Sequence, residues 1–315
     1  MNVLCNVLSI QLPIIQGGMG NISSPKLAAA VSNAGGLGTI GCGTLSVEAV
    51  ERKILELKAL TSCPFAINIA INVTPHTEQL IELVIKHQVP VVSLSAGNPT
   101  PYISLLHDRG IKVITIVASV KHAIKAEEAG ADILVAEGFE AAGINSPLEL
   151  TTMTLIPQIT ANVSIPVAAA GGIGDGKGLA AAIVLGAKGV QMGTRLIATK
   201  EMQVHELYKQ RLVDATDVET VIIGRNVGRV RRVLKNDYVT ALKKREKEGL
   251  TLAEFDEATT EAQHVLGAIE GNMEQGFINS GQVAGMINDV PSVQELLEQM
   301  MLEAKQACTR ALELI

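Results

Sequence analysis

The segments VAAAGGIGDG (residues 167–176) and GVQMGTR (residues 189–195) decide the fold of this chain of 315 residues. In each segment, a short run of small or branched apolar residues ends at a turn that contains glycine, and a helical pattern follows. A strand that runs directly into a helix is the building unit of parallel α/β folds. The two segments therefore predict an α/β protein and provide the pattern by which the other strands are found.

Eight units of this kind occur in residues 1–200. A doubly wound open sheet would also alternate strands and helices, but eight consecutive units match a TIM (β/α)₈ barrel, for which this length is slightly compact. We predict a barrel core in residues 1–200, followed in residues 201–315 by a helical C-terminal extension that contains the last barrel helix. The predicted strands are residues 14–16, 37–40, 65–69, 89–94, 112–117, 132–136, 167–170 and 189–192.

The composition excludes several classes of protein. Hydrophobic residues make up 47% of the chain but aromatic residues only 2%, which suits parallel strands covered on both faces and disfavours a stacking surface for single-stranded nucleic acid. The net charge of −6 argues against DNA as a partner. Because there is neither an apolar run of about 18 residues nor a signal-peptide pattern, we expect a cytoplasmic protein without a membrane partner. The four cysteines lack C-x-x-C spacing, so no metal site is predicted.

The glycine turns after the seventh and eighth predicted strands lie where TIM barrels commonly bind phosphate. Gly171 and Gly172 let backbone N–H groups approach an anion without a Cβ in the way, and the helix that follows adds a favourable partial charge. Gly193 and Thr194 offer an amide and a hydroxyl. Tight turns between a strand and a helix need glycine in any case, but the coincidence of both turns with these positions favours a phosphate site.

Another glycine pattern, GLGTIG in residues 36–41, matches the dinucleotide-binding fingerprint G-x-G-x-x-G. That motif must follow a strand and open a helix. Here it follows a helical pattern and contains the predicted second strand, so we reject a Rossmann interpretation.

Three further strand ends carry candidate site residues. The glycines of QGGMG (residues 16–20) would let a flat ring lie on the backbone, with Met19 packed against it. Asn68 is an amide inside an apolar run, where a structural role is the commoner explanation. Glu137 is a carboxylate at the end of the sixth predicted strand, on the face where barrel enzymes place their chemistry.

Taken together, the motifs resemble those of one family. They are IIQGGM (14–19), EGFEAAG (137–143), TTMTL (151–155), AAGGI (169–173), QMGT (191–194) and GQVAG (281–285). In this order they are similar to the nitronate monooxygenase / FMN-dependent enoyl-acyl-carrier-protein reductase II family, formerly called 2-nitropropane dioxygenases. Each motif alone has low specificity, but the ordered set spans nearly the whole chain and is highly specific.

The resemblance implies an FMN-dependent oxidoreductase, with NADH or NADPH as a candidate reductant. Its substrate would be a small molecule or an acyl thioester, for which acyl carrier protein is a candidate carrier, and a homodimer is one option for its assembly. Asn68 thereby becomes an expected flavin contact. The implied cofactor-binding residues are Gly18, Met19, Asn68, Glu137, Gly143, Gly171, Gly172, Gln191, Met192, Gly193 and Thr194.

The chain departs from the family where members have Glu-Ala-Gly-Gly-His after the sixth strand. Ile144 stands at the position of the histidine and cannot transfer a proton. Asn145 is a candidate for hydrogen bonding to a substrate oxygen, but an amide cannot act as a base. His205 matches a family position after the eighth strand and is a second catalytic candidate, although an exposed or structural role is commoner. We expect the histidines at positions 76, 87, 107, 122 and 264 to be exposed.

Five basic residues between Arg225 and Lys235 stand out in an acidic chain. They could receive the phosphate of NADPH or phosphopantetheine, or an acidic carrier protein. A solvated helix face, paired with acidic residues in 246–254, is the simpler interpretation and the one that we favour.

Three functions remain open. NAD(P)H-dependent reduction of an enoyl thioester is favoured, because QGGM, AGNP (96–99) and TTMT resemble the reductase branch more closely. A nitronate monooxygenase that oxidises alkyl nitronates with O₂ is the alternative. The third is a flavin-binding protein with lost or changed activity, which the missing histidine keeps under consideration.

Overall fold

The computed structural model describes residues 2–315 and contains a barrel of eight parallel strands. The strands are β1 (Ile14–Gln16), β2 (Gly38–Gly41), β3 (Phe65–Ala70), β4 (Val91–Ser95), β5 (Lys112–Val117), β6 (Ile133–Glu137), β8 (Val167–Ala170) and β9 (Gly189–Met192), with the short β7 (Gly143–Ile144) outside the barrel. They pair in the order β1-β9-β8-β6-β5-β4-β3-β2. The predicted TIM barrel is confirmed, and both ends of every predicted strand lie within two residues of the observed ends.

The barrel closes between β1 and β2. The Gln16 amide donates to the Leu37 carbonyl (2.8 Å), and the Leu37 amide donates to the Ile14 carbonyl (2.9 Å). Because β1 is only three residues long, the buried Gln16 side chain extends the pairing: its Nε2 donates to the Thr39 carbonyl (2.9 Å), and its Oε1 accepts from the Thr39 amide (3.3 Å). Closure brings the carboxyl ends of all eight strands to one rim.

Helices cover the outside of the barrel and its opposite rim. Helix α1 (Val3–Leu8) closes the amino-terminal mouth, where Leu4 and Leu8 pack against the inward-facing residues Ile15 and Ala168. The helices between the strands are α2 (Pro25–Asn33), α3 (Val47–Leu60), α4 (Thr77–Lys86), α5 (Thr100–His107), α6 (Val120–Glu128), α7 (Thr152–Thr160) and α8 (Gly176–Val184), with a 3₁₀ turn at Gly20–Ile22.

The C-terminal region completes the ring of helices. Helix α14 (Val293–Leu312) packs on α8 and α2 and is the eighth barrel helix. Residues 201–292, which we call the insertion, separate it from the short α9 (Thr194–Ile197). The insertion contains α10 (Glu206–Val213), α11 (Asp237–Lys247), α12 (Leu252–Ala258), α13 (Glu261–Ala268) and 3₁₀ turns at Arg225–Val227 and Gln282–Met286. No helix within residues 2–315 combines the length and apolarity needed to cross a lipid bilayer.

The insertion also contains strands that the sequence analysis did not predict. Strands β10 (Thr220–Ile223) and β11 (Arg231–Leu234) form an antiparallel pair, and β7 joins the other edge of β11. The interpretation of the basic stretch as a helix face is therefore wrong. The run TVII before Gly224 carried a strand signal, whereas Arg231 and Arg232 interrupt the apolar pattern of its partner.

Candidate active site

A cavity of about 1040 Å³ opens at the carboxyl ends of the barrel strands, and the insertion forms part of its wall. All eleven predicted cofactor-binding residues line this cavity. Ile144 and Asn145 also line it, whereas His205 is not among its lining residues. The closed barrel therefore brings together strand ends that are far apart in the sequence.

The turn after β8 has a backbone that favours glycine. Gly171 and Gly172 have φ values of +94° and +74°, in the region that side chains with a Cβ avoid. A Cβ on Gly171 would also lie 2.8 Å from the Gly138 carbonyl oxygen. The amides of Gly171, Gly172, Ile173 and Gly193 donate to no acceptor within residues 2–315. Such a group of free amides suits an anion such as a phosphate.

The N-terminus of α8, in contrast, already has carboxylate partners. Asp175 accepts from the Gly178 amide (2.8 Å), and Glu303 of α14 accepts from the Gly176 amide (3.0 Å). The favourable helix terminus expected from the sequence is thus occupied by side chains of the protein. Anion binding here depends on the turn amides that precede the helix.

Neighbouring loops hold the two glycine turns in place. The Thr152 hydroxyl donates to the Gly171 carbonyl (2.9 Å), and the Glu140 carboxylate accepts from the Thr152 amide (3.0 Å). On the β9 side, the Thr194 hydroxyl accepts from the Gly281 amide (2.9 Å). The predicted phosphate ligand Thr194 therefore also attaches the insertion to the rim of the barrel, while its hydroxyl hydrogen is left for a second partner.

Asn68 is held by its amide nitrogen, which donates to the Ser93 carbonyl (3.2 Å) and to the hydroxyls of Ser93 (3.3 Å) and Ser95 (3.2 Å). Its Oδ1 accepts no hydrogen bond from residues 2–315. A Cβ on Gly18 would overlap this oxygen, so glycine at position 18 is what allows the amide to reach the turn after β1. The Asn68 Oδ1 is therefore a hydrogen-bond acceptor in a fixed orientation beside the backbone of the turn after β1.

Glu137 ends β6 in the wall of the cavity. Burial raises the pKa of its carboxyl to about 7. The side chain is thus neutral in a large part of the molecules at neutral pH and can then donate a hydrogen bond as well as accept one.

The two predicted catalytic residues have other local partners. Asn145 donates through Nδ2 to the carbonyls of Ala141 (2.9 Å) and Gly143 (3.2 Å) of its own loop. His205 is exposed and caps α10, where its Nδ1 accepts from the Leu207 amide (3.2 Å). The structure therefore brings Asn145 to the cavity, with its amide nitrogen engaged, and leaves His205 outside.

Four side chains line the cavity from the insertion: Arg231, Glu261, His264 and Asn279, which we call the polar cluster. The sequence indicated Arg231 only as a member of the basic stretch, for which a solvated face was favoured, and it indicated no site role for the other three. The expectation that His264 is exposed is wrong, because only 2% of its surface is accessible. Glu261 and His264 lie three residues apart on α13, so the spacing was a signal that they share a helix face. Nothing in the local sequence shows that this face meets the barrel.

The polar cluster is packed around Phe277. The His264 ring stacks on Phe277 with 5.5 Å between the ring centroids, and the Arg231 guanidinium carbon lies 5.1 Å from the Phe277 centroid. The Nδ1 of His264 is 3.9 Å from Glu261 Oε2. Asn279 Nδ2 lies 3.3 Å from His264 Nε2, while Asn279 Oδ1 is buried without a partner within residues 2–315.

Glu261 connects the polar cluster to the turn after β1. Its Oε2 accepts from the Asn21 amide (3.0 Å). Burial raises the pKa of Glu261, but the neighbouring His264, the Asn21 amide and the charge of Arg231 outweigh it and lower the pKa to about 2. Glu261 is therefore a fixed negative charge beside the imidazole of His264.

Comparison with known proteins identifies the family. The nitronate monooxygenase family model matches residues 1–79 and 70–303. The chain belongs to the nitronate monooxygenase family. Members of this family are flavin-dependent oxidoreductases.

Individual relatives match almost the whole chain. A probable nitronate monooxygenase of Staphylococcus saprophyticus is 33% identical, over 96% of this chain and 98% of its own length. The (3aS,4S,5R,7aS)-5-hydroxy-7a-methyl-1-oxo-octahydro-1H-indene-4-carboxyl-CoA dehydrogenase of Mycobacterium tuberculosis is 33% identical, over 96% of this chain and 95% of its own. The structure of FabK from Thermotoga maritima matches with a TM-score of 0.95 and 39% identity, over 100% of this chain and 99% of that one.

The glycine turn generates a prediction for flavin binding. Gly171→Ala combines an unfavourable φ with a Cβ 2.8 Å from a carbonyl oxygen, so the turn must shift and its amides lose their alignment. We expect the dissociation constant for the flavin to rise at least tenfold, about 1.4 kcal/mol, in a titration followed by quenching of flavin fluorescence. Gly110→Ala is the control, because Gly110 has a φ of +70° but no atom within 4 Å of an added Cβ. Equal affinity of a folded Gly171→Ala variant and the wild type would disprove this role.

Glu137 generates a prediction for pH dependence. The pKa of the Glu137 carboxyl is about 7 in the folded protein and 4.5 ordinarily, so the folded state holds this proton more tightly than the unfolded state does. The resulting stabilisation of the fold is complete below pH 4.5, decreases as the pH rises towards 7 and is lost above it. In urea unfolding of the flavin-free protein, the unfolding free energy of the wild type should therefore fall between pH 5 and pH 8 through this group by at most about 3 kcal/mol. Glu137→Gln should not show this decrease. The same change in unfolding free energy for both proteins would show that Glu137 titrates normally.

Proposed function

We propose that this protein is an FMN-dependent enoyl-thioester reductase that uses NADH or NADPH. The observation that carries the proposal is the match to FabK, an enoyl-acyl-carrier-protein reductase II, at a TM-score of 0.95 over the full length. The relative named as a CoA-thioester dehydrogenase supports a thioester as the substrate class.

FMN fits the cavity because two turns offer free amides for one phosphate group. In the proposal, the amides of Gly171, Gly172 and Gly193 hold that phosphate, while Gly18 and Asn68 contact the ring system. When bound, the flavin supplies hydride transfer between the nicotinamide and the substrate. The protein supplies placement, exclusion of water and a proton.

His264 is the group that we assign to proton delivery. A hydride added to the β-carbon of an enoyl thioester leaves negative charge on the α-carbon and the carbonyl oxygen, and the α-carbon must then receive a proton. Ile144 cannot supply it, and Asn145 has no titratable group. His264 lines the cavity, is buried, and lies beside the negatively charged Glu261, and an imidazole is a side chain that can act as a general acid.

A nitronate monooxygenase is the competing function, and the relatives named as probable nitronate monooxygenases at 33% and 36% identity support it. The isoleucine at the position of the family's histidine is the observation that weighs against it. An anaerobic experiment separates the two functions. The purified protein is loaded with FMN and mixed with NADH, NADPH or ethyl nitronate, and the visible flavin absorbance is followed.

We expect NADH or NADPH to bleach the flavin and crotonyl-CoA to restore the colour, with butyryl-CoA as the product. Bleaching by ethyl nitronate, but by neither nicotinamide, would replace the proposal with the monooxygenase. A loaded protein that none of the three reduces would indicate a flavin-binding protein without either activity.

His264→Gln tests the proton donor. Loss of a general acid typically slows a reaction about 10²–10⁴-fold, so re-oxidation by crotonyl-CoA should slow to this extent while bleaching by the preferred nicotinamide keeps its rate. The matched control is His107→Gln, because His107 is an exposed residue of α5 that does not line the cavity. If His264→Gln re-oxidises at the wild-type rate, the proton comes from another group.

A further inference from the structure

Arg231 differs from the other arginines of its hairpin because its only partner within residues 2–315 is an aromatic ring, that of Phe277. Arg225 forms an ion pair with Glu149 (2.6 Å), and Arg229 with Asp256 (3.5 Å). Arg232, in contrast, donates to the Phe139 carbonyl (3.0–3.1 Å). The guanidinium of Arg231 makes no hydrogen bond or ion pair with residues 2–315, although only 8% of the residue is accessible.

A buried cation without a hydrogen-bonding partner is costly, and proteins normally pair or neutralise such groups. The guanidinium cannot become neutral, because arginine stays protonated in proteins. Burial lowers its pKa, and the charges of Glu261 and Asp256 raise it again only in part. Because Arg231 lines the cavity, a ligand in the cavity can supply the missing partner.

The position of Arg231 places it beside the groups assigned to the reaction. It pairs through its backbone with Ile144, the residue at the position of the family's histidine. Its guanidinium packs on Phe277, on which His264 also stacks. One side of the cavity therefore combines a cation, an imidazole and the carboxylate of Glu261.

We propose that Arg231 binds the carbonyl oxygen of the thioester substrate and stabilises the enolate formed during reduction. The inference rests on the proposed function and names the site at which the thioester group binds. A single guanidinium near a carboxylate suits one oxygen that gains negative charge. A phosphate dianion would need more positive charge, and Glu261 would repel it.

The hydride that reduces the enoyl thioester would come from NAD(P)H by way of the bound flavin, and it would add two electrons and one hydrogen to the β-carbon. The C=C electrons move to form a bond between the α-carbon and the carbonyl carbon, and the carbonyl oxygen becomes the enolate oxygen. Arg231 donates hydrogen bonds to this oxygen and keeps its protons. His264 transfers a proton to the α-carbon, the C=O bond re-forms, and the imidazole regains a proton from water.

Acetoacetyl-CoA tests Arg231 without any redox step, because its enolate has the same oxygen and absorbs in the near ultraviolet. We expect the wild type, with oxidised FMN bound, to increase the enolate fraction of the bound ligand at neutral pH. Arg231→Gln should lower the equilibrium constant for enolate formation at least tenfold, and Arg231→Lys should restore part of it. Arg229→Gln is the matched control, because Arg229 belongs to the same hairpin but is paired at the surface.

Each outcome has a defined consequence. If Arg231→Gln and Arg231→Lys both bind acetoacetyl-CoA and form as much enolate as the wild type, the inference is wrong. The proposed function can still be correct in that case, provided that the wild type reduces crotonyl-CoA. If the wild type neither binds acetoacetyl-CoA nor reduces crotonyl-CoA, the proposed function itself fails. If Arg231→Gln weakens binding of NADPH or ethyl nitronate and leaves the enolate unchanged, Arg231 binds that anion and the thioester assignment is overturned.

Discussion

Closure of the sheet between β1 and β2 is the constraint on which the rest of the structure depends. β1 has three residues, so its backbone alone forms few hydrogen bonds, and the buried amide of Gln16 supplies two more to Thr39. If the sheet stayed open, β1 and β2 would lie at its two edges, and Gly18 after β1 would be far from Asn68 of β3. Because the sheet closes, Gly18 and Asn68 are neighbours, and Gly18, Asn68 and Gly193 face one cavity.

The insertion adds polar side chains to the rim of the barrel. Strand β11 pairs with β7 and so sets the position of Gly143 and Ile144, while α13 brings Glu261 and His264 to the same cavity. The loop after β6 leads into Ile144, whose side chain cannot transfer a proton. Polar side chains capable of proton transfer and charge stabilisation thus reach the cavity from a segment about one hundred residues later in the chain.

The cavity wall contains polar groups that the protein itself does not satisfy. Within residues 2–315, the turn amides and the Asn68 oxygen make no hydrogen bond, and the Arg231 guanidinium makes neither a hydrogen bond nor an ion pair and packs only on Phe277. Folded proteins pair nearly all buried polar groups, so a concentration of unpaired ones in one cavity indicates where ligands bind. The donors at the glycine turns suit an anion, and the single guanidinium beside the polar cluster suits an oxygen that becomes charged.

The sequence by itself determined the eight strands, their barrel and the two glycine turns, because strand length, apolar runs and a positive φ at glycine are local properties. It also placed Asn68 and Glu137 at strand ends that face the cavity. Only the tertiary structure revealed the pairing of β7 with β11, the burial of His264 and the absence of a hydrogen bond or ion pair for Arg231 within residues 2–315. Those features depend on contacts between residues that are far apart in the chain, and the pattern of neighbouring residues does not encode which surfaces meet.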